Sequence, residues 1–441
     1  MLRSLERLPA KISCLADNRY AMIESLQGGA VSLSMRDEFA RGWRTLAACS
    51  LGNGSGLSGV AFYAFGIFVI PLTEAFGWSV GQVTVGSSFL ILGTAFTAPI
   101  VGSFIDRFGA YRVSLLSFSA LVVGYALLTQ LGNNISMFYL AWILLSLVGG
   151  GTTPVVWTRS VNLWFDRGRG LALGIALGGS GLSGVLAPPL ITKAIQNWGW
   201  QGGYLVVSAF ILVLAMPLIA LLFKDRPDEL AVSSGETRAA IPGFTAHEAL
   251  RHLTFWKIAL GFFLVSGFIA GLIINLVKLL VETGMDRVAA AGIASIMGIA
   301  VVVGRVGIGF LLDRLPAPAV ACALLLLCAL GCYTMSIPGV PVWALSLCVA
   351  ALGLGAAAEV DLVAYLTSRY LGMKAYGRVY GMQLTSFYLG AAIGPAAIGL
   401  SFDHFKSYGP ALYLAVGGLT LGALVLATLG KPPDFGGRTG H

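Results

Sequence analysis

Hydrophobic and polar positions along this chain segregate into long blocks. Apolar runs of roughly 20 residues occupy 49–70, 80–105, 113–131, 137–160, 171–195 and 204–223, and six more occupy 256–281, 288–312, 318–337, 341–366, 379–402 and 411–429. About 20 residues of helix cross the ~30 Å hydrocarbon core of a bilayer, so each run predicts one transmembrane helix. The expected fold class is an all-α integral membrane protein with twelve transmembrane helices in two groups of six. Between the groups, residues 224–251 are polar, include DRPDEL and IPGF, and read as a linker. The expected organisation is a tail over 1–45, a first half over 46–223, a linker over 224–253, a second half over 254–429 and a tail over 430–441.

Composition agrees with the blocks. Apolar residues make up 57% of the chain and charged ones 11%, against about 45–50% and about 25% in soluble domains. Dinucleotide folds, zinc domains and nucleic-acid binders drop out as main readings. The net charge of +8 is set by loop residues: Arg287 and Lys406 lie on one side, whereas Arg107, Arg112, Arg167, Arg226, Arg238, Arg314, Lys374 and the rest of the loop cations lie on the other. The positive-inside rule puts the richer side and both termini in the cytoplasm, as expected for a multi-pass protein of the inner (plasma) membrane. The first 45 residues hold no uninterrupted apolar stretch, so no signal peptide is expected. MRDEFARGWRTLAACSLG, from Met35, reads as a complete short lead into the first span and raises a start at Met35.

Cys14, Cys49, Cys322, Cys328, Cys332 and Cys348 form no CxxC pair, which favours buried packing over a disulfide or metal site. His247, His252, His404 and His441 all fall outside the apolar runs, so no histidine is expected as an intramembrane relay or metal ligand. No P-loop and no cofactor motif are present.

An internal repeat runs through the two groups. GSFIDR at 102–107 recurs as GFLLDR at 309–314, and the same offset of 207 superposes Gly77 on Gly284, Gly170 on Gly377, Gly174 on Gly381 and Pro188 on Pro395. One gap-free register thus relates spans two to five with spans eight to eleven, the mark of two parallel six-helix halves with a site between them near the midplane. With GSFIDRFGAYR between spans two and three, the chain resembles the major facilitator superfamily over about 43–429. FYAFGIFVIPLTEAFGWS, WFDRGRGLALGIALGGSGL, GRVGIGFLLDR and AEVDLVAYLTSRYLG are similar to the bacterial monocarboxylate-porter and oxalate/formate-antiporter branch. The resemblance implies a secondary transporter of small organic acids, driven by a proton or a counter-anion; a monomer is expected.

Arg305 is the sharpest candidate. It lies eight residues before Asp313, about 12 Å into the core. An arginine at that depth costs about 2.5–3.5 kcal/mol on insertion scales, so it should face a wet cavity or a partner. Its planar fork suits a carboxylate, and the resemblance places the branch's substrate-carboxylate ligand on Arg305. The alternative is a structural ion pair with Glu359 or Asp361. Those acids lie deep in span ten, and two residues on a helix are about 200° apart, so only one can face the path and take up a proton. Sequence leaves open which.

Asn53, Tyr63, Trp157, Asn275, Gln383 and Tyr388 are candidate cavity-lining residues. The resemblance assigns Asp106, Arg107, Arg112, Asp313 and Arg314 to gating at the cytoplasmic ends, and Arg159, seven residues before Asp166, is placed to join them, though a structural role is favoured there. Three departures from the branch bear on the substrate. Ile67 stands where the animal monocarboxylate transporters carry a lysine, Val301 where they carry an aspartate, and span eleven lacks the antiporters' lysine. A dicarboxylate calls for two cations, so a single central arginine favours a monocarboxylate. Lys278 near the end of span seven either assists or, as favoured here, snorkels outward or pairs with Glu282. The competing readings are a proton-coupled exporter of amphipathic compounds, which would tolerate loss of Arg305, and, from another class, a membrane sensor or embedded enzyme. A sensor would need a sizeable extramembrane domain and an enzyme a nucleophile–base or metal-ligand set, neither of which the sequence offers.

Overall fold

A computed structural model describes residues 34–224, 242–433 and 435. The tail to residue 33, the linker over 225–241 and most of the final residues lie outside the described residues, and with them Cys14, Arg226, Arg238 and His441. The helices are α1 (Met35–Phe76), α2 (Val80–Phe108), α3 (Ala110–Leu128), α4 (Ile135–Trp164), α5 (169–197), α6 (200–222), α7 (Leu253–Glu282), α8 (Arg287–Leu312), α9 (Ala317–Met335), α10 (Val342–Tyr370), α11 (Tyr376–Phe405) and α12 (Gly409–Ala427). Helices α5 and α6 belong to one stretch, Arg169–Leu222, broken at Trp198 and Gly199. Eleven apolar helical stretches therefore make twelve crossings among the described residues.

Capping explains several of the starts. Ser34 with Asp37 and Ser79 with Gln82 form capping boxes at α1 and α2, while Asn134 and Asp286 cap α4 and α8 through their side-chain oxygens. Two boundaries differ from the hydropathy reading. The polar segment before residue 49 is already helical from Met35, tied down by a buried Glu38. Glu38 accepts the backbone N–H groups of Asp166 and Arg167 on Oε1 (3.2 and 3.1 Å) and of Gly168 on Oε2 (3.0 Å). Between α5 and α6 the expected loop shrinks to a two-residue corner, because Gly199 adopts φ +70°, a conformation that disfavours any side chain.

The two halves touch chiefly through α2 against α11, α5 against α8 and α10, and α4 against α11. Gly102 lies on the Gly377 carbonyl, and Gly309 on the Gly170 carbonyl at 2.5 Å from where a Cβ would stand. Farther in, Gly381 meets the Ala98 carbonyl and Gly174 the Arg305 carbonyl. Such approaches are available only to glycine and are a main means by which helices associate in lipid. Toward the other end the halves diverge, since a Cβ at Gly178 would find nothing within 4 Å and one at Gly181 only Val302, at 3.8 Å. The molecule is closed at the GSFIDR end.

The described end of the linker braces that closure. Gly243 pairs with Gly372, the Phe244 N–H donates to the Leu371 carbonyl (3.0 Å), and the Met373 N–H donates to the Pro242 carbonyl (2.9 Å). A short helix, Ala246–Arg251, then leads into α7. The turn between α10 and α11, which aims the N-terminus of α11, is thereby held from outside.

Candidate functional site

At the centre, α8 and α10 present a cation and an acid to each other. Gly304 packs on Leu354 and Ala357 of α10, and Asp361, one turn beyond Ala357, continues that face toward Arg305. Arg305 Nη1 stands 3.9 Å from Asp361 Oδ1; the arginine side chain is 14% exposed and the aspartate not at all. At that separation the pair attracts without hydrogen bonding. Both Asp361 oxygens and Arg305 Nε are buried with no hydrogen-bond partner. Glu359 points elsewhere. Gly355, one turn before it, packs on the Cys328 sulfur of α9, so Glu359 lies on the α9 side of α10, with Oε1 buried and unpartnered. Both acids remain within electrostatic range of Arg305, but Asp361 is the one at its side. An under-compensated guanidinium flanked by acids can bind an anion and exchange partners as it does so.

Of the candidate lining residues, Tyr388 and Tyr63 keep part of their surface exposed. The half-buried Tyr388 phenol stands beside the Ser58 hydroxyl of α1, across the two halves. Tyr63 is 40% exposed, with its ring over Gly184 of α5. The other four are turned inward. Asn53 donates to the Leu177 carbonyl (3.0 Å), Trp157 to the Thr152 carbonyl (3.1 Å) and Gln383 to the Phe255 carbonyl (3.0 Å). Asn275 donates to the Gly271 carbonyl (2.9 Å) and accepts the Tyr408 hydroxyl (3.2 Å). The reason is common to all: an N–H donor among apolar helices takes the nearest free carbonyl, although Asn53 Oδ1 and Gln383 Oε1 remain without a partner. Lys278 is exposed, and Glu282 accepts the Tyr408 N–H (3.0 Å) and forms no ion pair with it. Cys322, Cys328, Cys332 and Cys348 are free thiols, with Cys328 donating to the Ala351 carbonyl.

At the closed end, backbone groups are the donors. Asp106, at the end of α2, accepts the Gly377 N–H on Oδ1 (3.0 Å) and the Arg378 N–H on Oδ2 (2.9 Å). Asp313, just past α8, accepts the Gly170 N–H on Oδ1 (2.6 Å) and the Leu171 N–H on Oδ2 (2.9 Å). Each acid thus caps a helix N-terminus of the opposite half, where the macrodipole favours negative charge. The 207-residue offset converts one set of partners into the other. Arg159 Nε stands 3.2 Å from Asp106 Oδ1. Burial pushes the Asp313 carboxyl above the ordinary carboxylate range, opposed by the two N–H groups and by Arg169 and Arg369.

Among the described residues the motif's arginines make no hydrogen bond or ion pair across the halves. Arg107 and Arg314 lie over Phe108 and Phe310 of their own helices, at 5.1 and 3.8 Å, and Arg112 is exposed. The crossing cations are ones the sequence reading left out. Arg169, buried at the start of α5, donates from Nη1 to Ser368 of α10 (3.2 Å) and from Nη2 to Asp166 (3.0 Å), while Arg369 Nη2 donates to the Asp166 carbonyl (3.3 Å). Nothing in the motif marks them, although Arg169 stands next to Gly170 in the repeat register.

Comparison with known proteins follows the same lines. The family model described as Major Facilitator Superfamily matches residues 51–395. Monocarboxylate transporter 13 of Bos taurus is 29% identical over 277 residues, 63% of this chain and 63% of the bovine protein, so that alignment spans less than two thirds of the relative. Monocarboxylate transporter 13 of Rattus norvegicus is 27% identical over 392 residues, covering 88% of this chain and 89% of its own. Among solved structures, the E. coli fucose:proton symporter superposes with a TM-score of 0.68 at 15% identity, covering 88% of this chain and 98% of its own. Twelve crossings in two pseudo-symmetric halves, the repeated Gly-x-x-x-Asp-Arg closure and the family match lead to one conclusion: the chain belongs to the Major Facilitator Superfamily.

Proposed function

We propose that this protein is a secondary transporter of small organic monocarboxylates that works by alternating access, with Arg305 as the anion ligand and Asp361 as the coupling acid. The observation that carries this reading is the Arg305–Asp361 pair, 3.9 Å apart, with Arg305 Nε and both carboxylate oxygens lacking hydrogen-bond partners. A substrate carboxylate offers the fork better geometry than Asp361 does. Once Arg305 turns to the substrate, Asp361 loses its counter-charge in a desolvated position and is neutralised by a proton. Arg305, Asp361, the substrate carboxylate and one proton together make a neutral loaded site, so substrate and proton cross together, as symport, or the substrate leaves only against another anion, as exchange. Tyr388 and Tyr63 supply further contacts, and the names of the monocarboxylate transporter relatives support the substrate class.

In this reading the GSFIDR end and both termini face the cytoplasm, the membrane is the inner (plasma) membrane, and transport opens the closed end by parting α2 from α11 and α5 from α8. Uptake and counterflow in proteoliposomes, with a panel of labelled carboxylates under set pH and voltage, test it. Arg305→Ala is expected to cost at least about a hundredfold in carboxylate exchange, the scale of truncating one side of a buried charge pair. Full exchange by that variant removes the site, and absence of carboxylate exchange in wild type favours an exporter of amphipathic compounds.

A further inference from the structure

Below the Arg305–Asp361 pair, on the way to the closed end, lies a second buried polar cluster, part of which completes no hydrogen bond. Tyr376 and Tyr380 are successive turns of α11, with rings stacked at 5.3 Å and 12°. Across from them, Thr158 and Asn162 are successive turns of α4, in the other half. The Thr158 hydroxyl lies beside both phenols and Asn162 beside Tyr376, while Asp361 is in electrostatic range of Tyr380 and Arg169 of Tyr376. Asn162 is 2% exposed and Tyr376 and Tyr380 are 0% exposed, yet both amide atoms of Asn162 and the Tyr380 hydroxyl complete no hydrogen bond. Thr158 is committed to the Pro154 carbonyl (2.7 Å), and Tyr376 reaches the Ala364 carbonyl only at 3.4 Å.

Buried polar atoms left unpaired are costly, and a set of them spread over two halves that must separate is not explained by packing. We propose that Asn162, Tyr376 and Tyr380 form a gate-end subsite for the substrate carboxylate, covered in the closed form and occupied once α4 and α11 part. This rests on the monocarboxylate reading above. The chemistry is that of an anion site: the Asn162 amide N–H and the Tyr380 O–H donate, the Tyr376 O–H joins them on turning from its long bond to the Ala364 carbonyl, and the buried Arg169 stands at the outer edge. Of the acids in electrostatic range of the two phenols, Asp106 already accepts two backbone N–H groups and Arg159, and Asp361 is the acid that the reading above neutralises with a proton when substrate binds. A carboxylate leaving Arg305 would pass from one set of donors to the next without crossing bare apolar surface.

Such a subsite acts from one side only. With the gate closed, a solute arriving from the open end meets Arg305 but not Asn162. Uptake of labelled lactate, pyruvate and acetate is measured in right-side-out and inside-out membrane vesicles for wild type, Asn162→Leu and Tyr380→Phe. Each variant is expected to raise KM about tenfold from the gate side, the effect of one hydrogen bond to a charged group, and to leave KM from the other side within about twofold. Equal changes from both sides overturn the subsite, as do opposite changes, which mark a latch between conformations. As a second readout, Asn162→Cys should be labelled by an impermeant maleimide from the gate side, above the wild-type background, and protected by the transported carboxylate; labelling without protection overturns the proposal. If wild type carries none of the three acids from either side, the monocarboxylate reading itself fails, which separates the two.

Discussion

The two crossings that close the molecule share a backbone design and differ in what they carry. Gly102 on Gly377 and Gly309 on Gly170 are one contact made twice, and Asp106 and Asp313 cap equivalent helix starts. Farther in, Gly381 rests on the carbonyl of Ala98 and Gly174 on the carbonyl of Arg305, and residues 98 and 305 are equivalent in the 207-residue register. A contact made by a glycine and a carbonyl places no demand on the side chain at the carbonyl residue. One half therefore keeps an alanine where the other carries the central cation. The acids follow suit, since Asp361 and Glu359 fall opposite Pro154 and Thr152. The hinge surfaces are duplicated and the charge is not, so changes to the frame should act in pairs while changes to the charge should not.

Among variants that keep Arg305, the largest expected effect tests the frame. Gly102→Leu and Gly309→Leu each drive a side chain into the opposing backbone, and both are expected to reduce transport to below about a tenth of wild type, since neither helix pair can close. Loss in only one of them would break the equivalence. Next comes the charge. Asp361→Asn is expected to lower pH-driven accumulation about tenfold while sparing exchange, and Glu359→Gln to do less, because only Asp361 stands at Arg305. The reverse ranking would move the coupling role to Glu359. The smallest effect sharpens the frame: Asp106→Asn and Asp313→Asn each weaken one dipole cap, by about 0.5–2 kcal/mol. Modification of a Ser103→Cys reporter by an impermeant thiol reagent should speed up in both, more so for Asp106→Asn, which also strands Arg159.

The crossings and the repeat were legible in the sequence because lipid imposes a block pattern and because Gly-x-x-x-Asp-Arg is rare enough to fix a register. Arg305 was legible for a related reason, the cost of a cation at that depth. Which acid faces it was not, since a 200° separation fixes only the relative directions of Glu359 and Asp361, and the rotation of α10 is set by Gly304 and Gly355 against their neighbours. The inward turn of Asn275 and Gln383 depends on carbonyls from residues far off in the chain or one turn back. At the gate the donors are backbone N–H groups, which have no residue signature, so the motif's own arginines drew attention that Arg159, Arg169 and Arg369 hold in the structure. The corner at Gly199 was hidden because hydropathy marks where apolar segments pause, not how sharply the backbone turns.

The account stands on Arg305 receiving a carboxylate. Calorimetric titration of the purified protein with lactate and with its neutral amide, in wild type and Arg305→Ala, tests that most directly. Wild type is predicted to bind the acid and not the amide, and the variant to bind neither. Binding of lactate by Arg305→Ala with wild-type affinity, or equal binding of acid and amide by wild type, would contradict it.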